Sequence, residues 1–207
     1  MAAEDWFRNE TWDAERASIF EDKLHRARRK EQYLRIQAST IARSNPEVAH
    51  ALLDRYFALP EDFDHAQAHV DRATAFLAQG RVREALGAYE SALAREALFP
   101  KLLTQAYVEF PFIVATREIT SEYARALEIL SLHKKRLMFP VDYFKWNAAH
   151  ALIGHALNGA ETPFRHARAA LEAASKEHSG FRYHPSVGLV TTSLDHVVAR
   201  LRKLCDS

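Results

Sequence analysis

The chain has one cysteine, Cys205, so no internal disulfide can form and the fold must stand on packing, as in proteins of a reducing compartment. Six glycines and seven prolines in 207 residues are too few for the closely spaced turns of a β-sandwich or barrel. With abundant Ala, Leu, Glu and Arg they favour an all-α chain. No apolar run approaches the roughly 18 residues that a membrane-spanning helix requires. The opening MAAEDWFRNE lacks the basic-then-apolar order of a secretion signal. Charge of one sign is also missing: the formal net charge is +1, which gives no global field to recruit nucleic acid or an anionic membrane. Glycine-rich phosphate loops are absent as well. What is present, 48% hydrophobic and 27% charged residues, is the balance of a chain that folds on its own. The expectation is a cytoplasmic protein of one domain, 1–207, with no membrane partner.

Residues 66–100, AQAHVDRATAFLAQGRVREALGAYESALAREALFP, read as one helix-turn-helix unit. Gly80 falls where the first helix must stop and reverse, a position that favours a residue tolerant of positive φ. Ala73 and Phe76 precede it, and Ala85, Tyr89 and Ala92 follow in the second helix. This order resembles the tetratricopeptide repeat, with His69 and Arg72 where the family pattern W-x2-L-G-x2-Y has Trp and Leu. The register recurs at Ala49, Leu53 and Tyr56, at Tyr123, Ala126, Leu127 and Leu130, and at Ala167, Leu171 and Ala174. The intervals lie a little above the family period of about 34 residues. The resemblance implies a right-handed α-solenoid of about four antiparallel helix pairs, at 30–60, 62–98, 100–138 and 140–177. An extra N-terminal helix at 12–29 and a capping helix at 185–204 complete it.

Local signals refine this outline. Asn45 is placed to cap the helix that Pro46 opens. Pro111 sits inside the apolar stretch Glu109–Val114 and predicts a kink or a restart there. Asn158-Gly159 ends the helix that Phe139-Pro140 begins. Val187, Val190, Leu194, Val197, Val198, Leu201 and Leu204 form the apolar stripe of the cap.

Candidate chemistry is sparse. His65 and His69 share a helix face near Asp62 and Asp64, but a stable zinc site needs three or four ligands, and partly exposed helix histidines are the simpler reading. His150 and His155, five apart, match one face poorly. Cys205 has no histidine beside it in sequence to activate it. The run Lys23, His25, Arg26, Arg28, Arg29 and Lys30 is the strongest charge feature, followed by Tyr33 and Arg35. It either meets phosphate or an acidic partner, or is a solvated face paired with Glu21 and Asp22, and the second is simpler. His133–Arg136 sits at a helix end, where cations are favoured. Phe139, Tyr143, Phe144 and Trp146 read mainly as core, with Trp146 turned toward a groove. The loop 178–184 gathers His, Arg and Tyr on the surface.

In tetratricopeptide proteins the first helices of successive pairs line a concave groove. The resemblance places Leu34, Arg35, Gln67, Val70, Thr74 and Trp146 there and implies a non-enzymatic module that binds an extended or helical peptide segment of a partner protein. The carboxylate-gripping variant of the family uses a lysine and asparagines where this chain has Leu34, Ala38 and Asp71. No catalytic residue, metal or cofactor is expected, nucleic acid is disfavoured, and a homo-oligomer stays open. Two alternatives remain: a regulator contacting nucleic acid or an acidic partner through the stretch 23–35, and a helical metal-dependent enzyme using His65 and His69.

Overall fold

The structure, a computed structural model, describes residues 5–60, 63–158 and 162–206; Asp62 and Gly159 lie outside them. Among the described residues there are ten α-helices and no strand, so the fold is all-α. The chain divides into two compact units, Met1–Ala106 and Tyr107–Ser207.

The first unit holds α1 (Ala14–Arg26), α2 (Lys30–Ile41), α3 (Pro46–Phe57), α4 (His65–Ala78) and α5 (Val82–Leu98). Asp13 caps α1 by accepting the Arg16 N–H at 2.8 Å, which satisfies a first-turn donor. Helices α2 and α3 pack as one hairpin and α4 and α5 as another, with α3 against α4. Gly80 adopts φ +72°, and the Arg81 N–H reaches back to the Phe76 carbonyl at 2.9 Å, the left-handed closure that glycine accepts without strain. Ala73 of α4 and Ala85 and Ala92 of α5 are fully buried, and α4 packs closely on α5. Asn45 departs from its expected role. Its φ of −138° and ψ of 65° lie off the extended region from which a capping side chain reaches the first turn, and that side chain makes no capping bond.

The core of this unit joins Phe20 and Leu24 of α1 to Leu34, Ala38 and Ile41 of α2, Leu53 and Tyr56 of α3, and Ala68 of α4. Residues ahead of α1 close it. Trp6 and Phe7 both pack on Tyr33, with ring centroids 4.7 and 4.8 Å away. The backbone of Asn9 exchanges hydrogen bonds with Gln37, giving its N–H to Oε1 at 3.0 Å and accepting Nε2 at 2.9 Å. Gln37 is fully buried, so this exchange satisfies an amide that would otherwise be stranded in apolar surroundings.

The second unit holds α6 (Ala106–Thr116), α7 (Tyr123–His133), α8 (Pro140–Ala156), α9 (Thr162–Ala174) and α10 (Asp195–Asp206). Helix α6 runs through Pro111 without a break. Helix α8 packs closely on α9, and α10 packs against both. Asp142 is buried and accepts the Phe139 N–H at 3.0 Å, tying off the start of α8. The cap is shorter than its stripe implies. Gly188 has φ +65°, and a Cβ there would lie 2.5 Å from Phe139, so the chain turns tightly against the start of α8 instead of continuing a helix from Pro185. Val141 donates its N–H to the Gly188 carbonyl at 2.8 Å. Only Val197, Leu201 and Leu204 of the stripe are buried. Arg200 then ties α10 to the end of α6, donating to the Thr116 carbonyl at 2.9 Å and to Glu118 at 2.7 Å.

Candidate functional site: the face of α2 and α4

Helices α2 and α4, the first helices of the two hairpins in the first unit, pack against each other and share a polar face. Helical spacing assembles it: Arg35 and Ser39 are one turn apart on α2, and Gln67, Asp71 and Thr74 follow the same rule on α4. Arg35 Nε donates to Asp64 at 3.2 Å and its Nη1 to Asp71 at 3.2 Å. The other oxygen of Asp71 accepts Ser39 Oγ and Gln67 Nε2, each at 3.1 Å. With a side chain only 6% exposed, Asp71 is pushed by burial above the usual carboxylate range, and its bonds to Gln67, Arg35 and Ser39 pull the other way.

This arrangement is a positioned hydrogen-bonding surface. Both oxygens of Asp71 already accept donors, which leaves neither a free base nor an activated nucleophile. Arg35 has donors to spare: a guanidinium carries five N–H groups, so Nη2 is left for a peptide carbonyl or carboxylate. Gln67 and Thr74 are half-buried beside it, and the Thr74 hydroxyl returns to the Val70 carbonyl at 3.1 Å.

Of the residues placed in a groove by sequence, Arg35 and Gln67 meet at Asp71, and Thr74 lies one turn further along α4, all partly open to solvent. Leu34 and Val70 belong to the interior, Leu34 being 3% exposed. Trp146 belongs to the second unit and is a correction to the expected aromatic anchor. It is 7% exposed, and its indole N–H is spent on the Leu130 carbonyl at 3.1 Å. The physical reason is that neighbouring helices cover its side of α8: Leu130 of α7 accepts the indole N–H, and His166 of α9 lies 5.4 Å from the ring.

The histidines have structural surroundings. His65 is buried against Tyr56 and Phe57, at 5.1 and 5.4 Å, and His69 lies 4.6 Å from Phe57. Burial, with Arg72, His65 and Arg95 nearby, lowers the His69 pKa to about 4. Cationic neighbours oppose a bound cation, Asp64 is engaged by Arg35, and among the described residues no group of three or more His, Cys, Asp and Glu gathers to hold a metal. In the second unit the structure pairs His150 not with exposed His155 but with His166 of α9. The rings stack at 4.7 Å and 16°, with Trp146 edge-on to His150 at 4.2 Å. His166 Nδ1 bonds Asn147 Oδ1 at 2.8 Å, while His150 Nε2 is buried without a partner. Sequence spacing did not disclose this pair, because it spans two helices and depends on how α8 and α9 are registered. Parallel rings aim their in-plane lone pairs side by side, a poor geometry for chelation.

The loop 178–184 is folded on itself, with Ser179 donating its N–H to the Pro185 carbonyl and its hydroxyl to the His184 carbonyl, both at 2.7 Å. Compared with protein-family models, with curated proteins and with solved structures, the chain matches none.

Proposed function

We propose that this chain is a non-enzymatic protein–protein interaction module of the tetratricopeptide type, acting in the cytoplasm. Its helix pairs stack with a right-handed turn, and the face of α2 and α4 receives an extended or helical segment of a partner protein. The observation that carries this reading is the side-by-side placement of two first helices whose half-buried Arg35, Gln67 and Thr74 stand over a satisfied Asp71. Such a face offers spaced donors and acceptors to a peptide backbone, whereas catalysis needs polar groups converging on one reacting atom. The buried alanines at 49, 85, 126 and 167 support the repeat assignment, since a shared small-residue position is what closely packed successive pairs require. The single cysteine suits a reducing compartment.

Selection of random peptides on the immobilised chain tests the proposal. Peptides should be enriched that bind the parent and lose about tenfold or more in affinity to Thr74→Tyr, whose ring would cover the face. Failure to enrich any peptide, or enrichment of peptides that bind the variant equally, would remove the face from consideration.

A further inference from the structure

We infer that the junction of α1 and α2 is a second docking surface and that it takes an acidic segment of a partner protein. The inference rests on the reading of the chain as a partner-binding module but uses residues outside the α2–α4 face. His25, Arg26, Arg28, Arg29 and Lys30 are all exposed, with only Ala27 among them. The acids that sequence spacing offers for their neutralisation provide it only in part. Glu21 takes both terminal nitrogens of Arg55, from α3. Half-buried Glu31 pairs with exposed Arg29 at 3.6 Å. Asp22, one turn before Arg26, makes no ion pair with it. Among the described residues no carboxylate comes within ion-pair distance of Arg26, Arg28 or Lys30. The run is therefore neutralised only in part by the chain's own groups: Lys23 has a partner and Arg29 meets Glu31, while Arg26, Arg28 and Lys30 lie beyond ion-pair distance of the described carboxylates. A chain of net charge +1 concentrates cations at one place.

The backbone on either side of these cations is anchored. Leu24 in the last turns of α1 and Leu34 in α2 are both buried, and the Ala27 N–H closes on the Leu24 carbonyl at 3.1 Å. An anchored backbone reduces the ordering cost on this chain's side of binding. Arg29, the residue just before α2, makes no side-chain capping bond, so the first-turn N–H groups of α2 add partial positive charge at the same spot. Guanidinium forks match carboxylates in two-point contacts, which favours Asp- or Glu-rich chain. Nucleic acid fits less well. The nearest ring, Tyr33, is held between Trp6 and Phe7 and is not free to stack on a base. So short a run also meets only a few phosphates, too few to hold a strand at physiological salt.

Fluorescence anisotropy with labelled decaglutamate, decaglutamine and decathymidylate tests this on the full chain at about 50 and about 200 mM salt. Decaglutamate should bind, decaglutamine should not, and the affinity should fall with salt. The triple variant Arg26→Gln, Arg28→Gln, Lys30→Gln should lose about tenfold or more while melting like the parent, because all three side chains are exposed. Decaglutamate binding that is absent, or unchanged in the triple variant, would overturn the inference. Tighter binding of decathymidylate than of decaglutamate would overturn it in favour of nucleic acid. Thr74→Tyr separates the two surfaces: decaglutamate binding should survive it, and peptide selection on the α2–α4 face stands or falls independently.

Discussion

His150 shows what a single side chain contributes to the second unit. Burial, with His166 and Lys134 beside it, lowers its pKa from 6.5 to about 4, and His166 is lowered too, by burial and by Arg165 and Lys134. The ionisable neighbours of His150, His166 of α9 and Lys134 from the connection before α8, are both basic and so disfavour a proton on its ring. The unfolded chain protonates this imidazole near pH 6.5 and the fold resists until about 4, so between those values the unfolded state binds more protons. The stabilising effect is complete above 6.5, shrinks as pH falls, and is gone below about 4. The urea midpoint should therefore drop from about pH 7 to about pH 5, and His150→Phe, which keeps the stack but cannot take the proton, should drop less. His69 in the first unit acts with the same sign and would account for part of the remaining slope. An undiminished slope in His150→Phe would place the acid sensitivity elsewhere. At this scale the sequence was only partly legible. Gly80 declared its left-handed turn because the requirement is local. His166 and Gln37 were silent, and Asp71 showed only as a departure from the carboxylate-gripping variant, since each acquires its role from a residue on another segment.

Helices were the most legible feature, because period and capping act within a few residues of chain. The expected pairs at 30–60 and 62–98 correspond to α2 with α3 and α4 with α5. The cap was misjudged at its start for a physical reason. Val187 and Val190 keep helical spacing, but Gly188 turns the chain under Phe139. Residues ahead of α1 were likewise undervalued: Trp6, Phe7 and Asn9 are isolated in a polar stretch, and their packing on Tyr33 and Gln37 follows from tertiary placement alone. The α4–α5 contact gives a sharp test of the repeat register. Ala85 is fully buried, and if it faces α4 as the repeat register requires, Leu there should overpack and cost about 1–3 kcal/mol. Thermal or urea unfolding of Ala85→Leu measures this, and a variant as stable as the parent would mean that the helices do not meet at this methyl.

At the scale of the whole molecule, the chain divides near Ala106. The first unit has the parts of an independent fold. Its hydrophobic cluster draws on α1 through α4 and is closed by Trp6, Phe7, Trp12 and Tyr33, and α5 completes the second hairpin. A chain of this size can bury about 60–70% of its unfolded surface, enough for a cooperative core. Residues 1–106 expressed alone should therefore be helical by circular dichroism and unfold in one transition, with stability of about 5 kcal/mol or more. Arg35, Gln67 and Thr74, and the cations from His25 to Lys30, all lie inside this segment. The fragment should accordingly bind both the peptides selected on the α2–α4 face and decaglutamate with affinities close to those of the full chain. A broad, non-cooperative melt would mean that the first core needs the second unit to close. A cooperative melt with both binding activities lost would mean instead that the surfaces need residues beyond Ala106, because a folded fragment already holds every side chain assigned to them.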